Sequence, residues 1–148
     1  VRKTPAGTVV FVQAGENSFN RTVITTKGVH LLTGIADLPK GGFDHITAKM
    51  AAQQNTGVVL DLSRIIDPKT RRTALSRYAE ILAFHRKFRF PLVLASGASD
   101  CLGQRNITEI AALAALFGMT KGEADAALCA VEGILSPKKT VEIVEEES

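Results

Sequence analysis

The chain has 148 residues, 45% of them hydrophobic and 22% charged, which suits one folded domain with its own core. Its 18 basic and 15 acidic residues give a net charge of +3, and no apolar run approaches the about 20 residues of a membrane-spanning helix. Two cysteines, Cys101 and Cys129, fit no zinc or redox spacing, so we expect reduced thiols in a cytoplasmic protein.

Four short apolar runs predict β-strands, because each is rich in branched residues and bounded by turn signals. They are Thr8–Ala14, Gly28–Thr33, Val58–Leu62 and Leu92–Ala95. Helix patterns lie between most of these runs, which predicts parallel strands joined by crossover helices. Thr140–Val144 is a candidate for one further short strand.

Capping residues and apolar spacing predict the helices. A short helix begins at Ser18 or Asn20. A second is capped by Asp44 and runs to about Gln54, with Phe43, Ile46 and Met50 on one face and Gly57 a few residues past its end. Asp67-Pro68 predicts the start of a third, which has Leu75, Tyr78, Leu82 and His85 on one face. Two capping boxes, Asn106 with Glu109 and Thr120 with Glu123, predict helices ending at Phe117 and near Ala130.

These elements indicate an α/β fold of TIM-barrel-like parallel β/α repeats in a single domain, residues 1–136. A closed eight-stranded barrel needs roughly 250 residues, so we expect a small α/β domain or an incomplete barrel lacking the N-terminal strands. A first residue that is valine, not methionine, favours a partial product. Residues 137–148 hold four glutamates and are expected to form an acidic, disordered tail.

Residues that could carry catalysis are scattered. His30, His45 and His85 lie on different elements without chelating spacing, so structural roles are expected for all three. Asp61 lies in an apolar strand and needs a partner, for which Arg64 and Lys49 are candidates. The loop Ser96–Asp100 follows a strand but holds no nucleophile elbow, and no nucleotide-binding motif is present. We therefore predict no catalytic residue, no metal site and no bound cofactor.

The segment from Lys69 to Arg89 holds most of the concentrated positive charge. Its basic residues are Lys69, Arg71, Arg72, Arg77, Arg86, Lys87 and Arg89, against the single acid Glu80. The segment is either a solvated helix or a surface for a polyanion, and the shortage of local acids favours the polyanion. With seven phenylalanines, one tyrosine and no tryptophan, backbone and shape contacts to a folded RNA fit better than base stacking.

The order of several motifs resembles archaeal ribonuclease P protein component 3, the counterpart of the thirty-kilodalton eukaryotic subunit. The motifs are Asn20-Arg21, Phe43–Ala51, Val59–Ser63, Pro91–Ala98, Arg105-Asn106 and Leu116–Met119. The resemblance implies a TIM-barrel-like fold, related to the polymerase and histidinol phosphatase superfamily but without its metal-binding histidines. Family members usually exceed 200 residues, and in Ser96-Gly97-Ala98 the middle residue is glycine where a polar or acidic one is expected.

The resemblance also implies a non-catalytic subunit of ribonuclease P, in which RNA-bound magnesium performs the 5′ maturation of pre-tRNA. The implied partners are the ribonuclease P RNA, pre-tRNA and the ferredoxin-like component 2, with no membrane. It suggests Arg21, Lys49 and Arg105 as RNA contacts, and charge alone adds Arg71, Arg72 and Arg77. The alternatives are a metal-dependent phosphoesterase of the related superfamily and a protein-interaction module that binds no RNA.

Overall fold

The computed structural model describes residues 8–39, 41–96 and 106–135. Its centre is a four-stranded sheet with the strand order β1-β2-β3-β4 and every neighbouring pair parallel. The strands are β1 (Phe11–Gln13), β2 (Leu31–Thr33), β3 (Gly57–Asp61) and β4 (Leu92–Ala95). The sheet does not close on itself, so the described fold is an open portion of a barrel.

Six helices accompany the strands in this part of the chain. They are α1 (Asn17–Thr25), α2 (His45–Gln54), α3 (Ser63–Ile66), α4 (Arg71–Phe88), α5 (Ile107–Ala115) and α6 (Lys121–Leu135). A 3-10 turn, Ile35–Asp37, follows β2. None of the described helices is long and apolar enough to span a membrane.

The alternation of side chains along each strand gives the sheet two apolar faces. The outer face, with Leu32, Leu60 and Leu94, packs against α1, α2 and α4 in the main core. The inner face presents Leu31, Val59 and Val93, which cluster with Ile134 from α6. At Gly57 an added Cβ would lie 2.5 Å from a terminal methyl of Leu31 and 2.8 Å from one of Ile134, so a larger residue there would push these side chains aside.

The two ends of the strands define two edges of the sheet. At the C-terminal edge the four strands end and the chain leads into α1, α2, α4 and α5. At the N-terminal edge α1, α2 and α4 end and the next strand begins. The start of α6 also lies at the N-terminal edge, because Arg86 near the end of α4 binds Glu123 in its first turn. Barrel enzymes bind substrates at the C-terminal edge.

The predicted order of strands and helices is confirmed, with shorter strands than expected at the first two positions. Asp44 caps α2 by accepting a hydrogen bond from the Thr47 N–H at 2.9 Å, as predicted. The predicted apolar face of α2 is wrong for Ile46, which is 46% exposed. Small side chains, Ala48 and Ala51, are buried instead and let the helix pack closely.

One predicted boundary is confirmed and another needs correction. α2 ends at Gln54, as predicted; Asn55 follows it in the left-handed conformation with φ 55°, and Gly57 begins β3. Asp67 does not cap α4, because its carboxylate accepts the Lys69 N–H at 2.9 Å and forms a turn between α3 and α4. α4 therefore begins at Arg71.

The predicted buried face of α4 is confirmed, with Tyr78 and Leu82 in the core. Both capping boxes form, at Asn106 with Glu109 and at Thr120 with Glu123. α6 extends past the predicted end, to Leu135. The predicted strand at residues 140–144 and the acidic tail at 137–148 lie outside the described residues.

Candidate nucleic-acid interface

The arginines of α4 were predicted to offer their charge to a polyanion, but Arg71, Arg77 and Arg86 all donate to carbonyls of the protein's own backbone. Arg71 donates to the carbonyl oxygens of Ile65 and Ile66, at 2.7 and 2.8 Å, and so closes the last turn of α3. Arg77 donates to the Leu38 carbonyl at 3.1 Å and lies 3.4 Å from Glu80. Both guanidinium groups therefore hold neighbouring loops against α4.

Arg86 forms the strongest ion pair of the helix with an acid that lies far away in the sequence. Its guanidinium donates to both carboxylate oxygens of Glu123, at 2.7 and 3.0 Å, and to the Gly118 carbonyl at 2.8 Å. The hydrogen bond from Arg86, together with those from Thr120, lowers the pKa of Glu123 to about 2. Glu80 is therefore not the single acid that pairs with the arginines of α4, because α6 brings Glu123 to Arg86.

Arg21 on α1 lies at the start of α2. Its guanidinium is 2.6 Å from the carboxylate of Asp44, and its Nε donates to the Thr47 hydroxyl at 3.4 Å. Burial raises the pKa of Asp44, but hydrogen bonds from Thr47 and the Arg21 charge outweigh it, and the pKa lies below its usual value. Arg21 therefore joins the two helices.

The neighbouring Asn20 is fully buried and was not recognised from the sequence as a key polar residue. Its side chain accepts the Gly15 N–H at 2.8 Å and donates to the carbonyls of Gly15 and Gly42, at 2.9 and 3.1 Å. One amide thus fixes the loop after β1 and the loop before α2. Asn20 and Arg21 are thus adjacent residues that connect neighbouring loops and helices.

Of the six predicted RNA contacts, Lys49 and Arg72 are exposed and make no hydrogen bond or ion pair among the described residues. Arg21, Arg71 and Arg77 are engaged as above, and Arg105 lies outside the described residues. Lys49 is on α2 and Arg72 is in the first turn of α4, so the structure does not gather the predicted set into one patch. Other exposed cations without such a partner among the described residues are Lys27, Lys69, Lys87, Arg89 and Lys121.

The C-terminal edge of the sheet, where a barrel enzyme would act, is occupied by internal contacts. The Asp61 carboxylate accepts both the N–H and the hydroxyl of Ser63, at 2.9 and 2.6 Å, so neither Lys49 nor Arg64 is its partner. Arg64 instead pairs with Asp37 at 2.9 Å. Tyr78 donates its hydroxyl to the Asp61 carbonyl at 2.8 Å. A cavity of about 180 Å³ lies beside these residues.

The histidines have structural contacts or none. His30 Nδ1 accepts the Val10 N–H at 3.0 Å, and His85 Nδ1 lies 2.7 Å from the Phe90 carbonyl, which accepts from it. His45 is exposed at the start of α2. Within the described ranges, no three His, Cys, Asp or Glu side chains converge as metal ligands would. Of the Ser96–Asp100 loop, Gly97 to Asp100 lie outside those ranges.

The described residues define an open, barrel-like β/α protein with a parallel sheet and exposed arginines and lysines on its surface. Residues 2–140 match the family model described as RNase P subunit p30. The chain belongs to this family, and the resemblance deduced from its motifs is confirmed.

Named relatives agree with the family model. The chain is 37% identical over 123 residues to ribonuclease P protein component 3 of Methanococcoides burtonii, a match covering 81% of this chain and 51% of the relative. The same protein of Methanothermobacter thermautotrophicus is 36% identical over 123 residues, covering 81% and 50%. The chain thus spans about half the length of the curated relatives it matches.

A solved structure supports the fold. The chain is similar to one in the cryo-EM structure of archaeal ribonuclease P with mature tRNA, with a TM-score of 0.74 and 19% identity. The match covers 86% of this chain and 56% of that one. The TIM-barrel-like architecture is therefore confirmed.

Proposed function

We propose that this chain acts as a protein subunit of ribonuclease P, supporting the RNA-catalysed 5′ maturation of pre-tRNA. Membership of the p30 family over residues 2–140 carries the proposal. In this proposal the chain supplies no catalytic residue; at the edge where barrel enzymes act, one carboxylate oxygen of Asp61 accepts two hydrogen bonds from Ser63. The magnesium ions of the reaction are proposed to be held by the RNA.

The proposed RNA contacts fall into groups according to the hydrogen bonds that their side chains make within the protein. Lys49 and Arg72 are exposed and have no ion-pair partner among the described residues, so their charges can contact phosphates. Arg21, Arg71 and Arg77 position loops, yet each guanidinium has five N–H donors, so donors remain for RNA after the internal bonds are made. Arg105 is proposed on the resemblance alone.

A protein partner, component 2, is the second part of the proposal. Exposed apolar side chains suit such a partner, because large ones on a surface mark interaction sites when they occur together. Phe11 on the edge strand β1 is 56% exposed, and Phe19 on α1, the helix that follows it, is 48% exposed. Ile107, the first residue of α5, is 64% exposed, and Leu116, just after its last residue, is 61% exposed.

The test is reconstitution of pre-tRNA cleavage from an archaeal ribonuclease P RNA and component 2, with and without this chain. At low magnesium we expect cleavage to require the chain, because its cations replace part of the metal's neutralisation of RNA phosphates. The chain alone should cleave nothing. The full-length relative from Methanococcoides burtonii serves as the positive control. Equal cleavage with and without the chain, while that relative works, would reject the proposal.

A further inference from the structure

The two edges of the sheet differ in charge. At the C-terminal edge, the described cations Arg21, Arg64, Lys69, Arg71 and Arg72 are outnumbered by the acids Glu16, Asp37, Asp44, Asp61, Asp67 and Glu109. At the N-terminal edge the described cations are Lys27, Arg86, Lys87, Arg89 and Lys121, against the acids Glu123 and Asp125. The excess of positive charge therefore lies at the edge opposite the active sites of barrel enzymes.

We propose that this N-terminal edge, at the last turn of α4, is the surface that receives the ribose-phosphate backbone of RNA, with Arg89 as a phosphate contact. The inference rests on the proposed function and adds a location to it. Arg89 belongs to none of the motifs that carry the family resemblance. Sequence charge alone gave no reason to separate it from the other arginines of α4.

The backbone of Arg89 is the first reason to single it out. It ends α4 in the left-handed conformation with φ 62°, and its N–H donates to the His85 carbonyl at 2.8 Å. Glycine is the usual residue at such a helix end, since any Cβ there is strained. Strained residues concentrate at ligand sites. In this chain arginine occupies a position where its backbone conformation is disfavoured.

The side chain of Arg89 supplies the second reason. It is exposed, makes no hydrogen bond or ion pair within the described part of the chain, and borders an open groove of about 350 Å³ between the end of α4 and α6. The α6 wall of the groove carries small side chains, among them Gly122, Ala126 and Ala130, so a nucleic acid strand can approach closely. A guanidinium at this rim can bind a phosphate with two parallel hydrogen bonds.

The charges around Arg89 favour a polyanion as the ligand over a protein segment of mixed charge. Lys87 is exposed, with its Nζ 5.4 Å from the ring of Phe88, and adds a second positive charge on the same turn. The nearest carboxylate of the groove, Glu123, is neutralised by Arg86. The same ion pair ties α4 to α6, so the cations are presented from a rigid base.

The test compares two double variants that each remove two exposed cations without an ion-pair partner. One is Lys87→Ala with Arg89→Gly at the N-terminal edge, and the other is Lys69→Ala with Arg72→Ala at the C-terminal edge. RNA affinity is measured between 50 and ~300 mM salt, using an archaeal ribonuclease P RNA and the full chain. Arg89→Gly is chosen because glycine relieves the left-handed strain, so its thermal midpoint should equal or exceed that of the unmodified chain.

We expect the N-terminal-edge variant to lose about tenfold or more in affinity, and the slope of log affinity against log salt to fall by about 1 to 2. The C-terminal-edge variant, which includes the proposed phosphate contact Arg72, should also weaken binding, but only by about threefold. Arg89→Lys, which keeps charge but not the paired donors, should fall between Arg89→Gly and the unmodified chain. This ranking, with unchanged or raised thermal midpoints, supports the proposal.

Other results separate failure of the location from failure of the function. If the unmodified chain binds RNA but the two double variants weaken equally, or the C-terminal-edge variant weakens more, the proposed surface is wrong and the proposed function stands. If the unmodified chain shows no salt-dependent RNA binding and gives no cleavage in the reconstitution, the proposed function itself is overturned and this inference with it.

Discussion

The two edges of the sheet hold similar polar residues, but these residues make different kinds of contact. At the C-terminal edge, Asn20, Arg21 and Asp61 make hydrogen bonds to neighbouring loops and side chains. At the N-terminal edge one ion pair, Arg86 with Glu123, fixes the helices, while the Arg89 side chain has no hydrogen-bond or ion-pair partner among the described residues. The comparison teaches that the number of arginines in a segment says little about available charge. What decides it is how many carbonyls and carboxylates the fold places beside them.

The largest expected effect comes from removing the amide that holds the C-terminal edge. Asn20→Ala leaves the backbone groups of Gly15 and Gly42 buried without their partner, and we expect a loss of about 3 kcal/mol in the free energy of unfolding. Urea denaturation measures it. Ser18→Ala, at an exposed position on the same helix, is the control and should stay within about 0.5 kcal/mol. Equal losses in the two variants would show that the edge is not held by Asn20.

A smaller effect tests the ion pair that holds the N-terminal edge. The pKa of Glu123 falls from 4.5 to about 2 on folding, so its contribution is present above pH 4.5 and is lost as the pH drops toward 2. Glu123→Gln should cost about 1 kcal/mol at pH 6, because the pair is partly exposed, and almost nothing near pH 2. Urea denaturation of both proteins at pH 6, 4 and 2.5 follows the convergence. A difference that is constant with pH would contradict the pair's role.

The smallest effect distinguishes two adjacent arginines in the first turn of α4. Arg71→Ala removes two hydrogen bonds to the carbonyls of Ile65 and Ile66 and should lower the free energy of unfolding by about 1 kcal/mol. Arg72→Ala removes an exposed side chain without such partners and should change it by less than about 0.5 kcal/mol. Thermal unfolding of the two variants side by side provides the measurement. The opposite order would mean that the guanidinium of Arg71 does not support α3.

Much of the fold could be predicted because its signals are local. The caps at Asp44, Asn106 and Thr120 act within three residues, and the four strands are runs of apolar residues between turns. Local signals failed where two patterns overlapped. Asp67-Pro68 marks a turn as well as it marks a helix start, and the structure uses the turn because α3 occupies the residues before it.

The candidate interface was harder to predict because its charges are allocated by tertiary structure. Arg86 and Glu123 lie 37 positions apart, and Arg77 reaches a carbonyl 39 positions away, so no window of sequence reveals either contact. The strain at Arg89 is likewise a property of how α4 ends. The family resemblance supplied the class of protein, while the free and engaged cations could be told apart only from side-chain positions.

The packing of Ile134 against Leu31 has a consequence for how the molecule folds. The strands pair only with their neighbours along the chain, so the sheet can grow one β/α unit at a time during synthesis. The inner face, however, gains its contact from α6 only when residues roughly a hundred positions after β2 have been made. Because contacts between distant residues slow folding, docking of α6 is expected to be the late step. Until then Leu31, Val59 and Val93 form an apolar surface without that helix, which a chaperone could recognise.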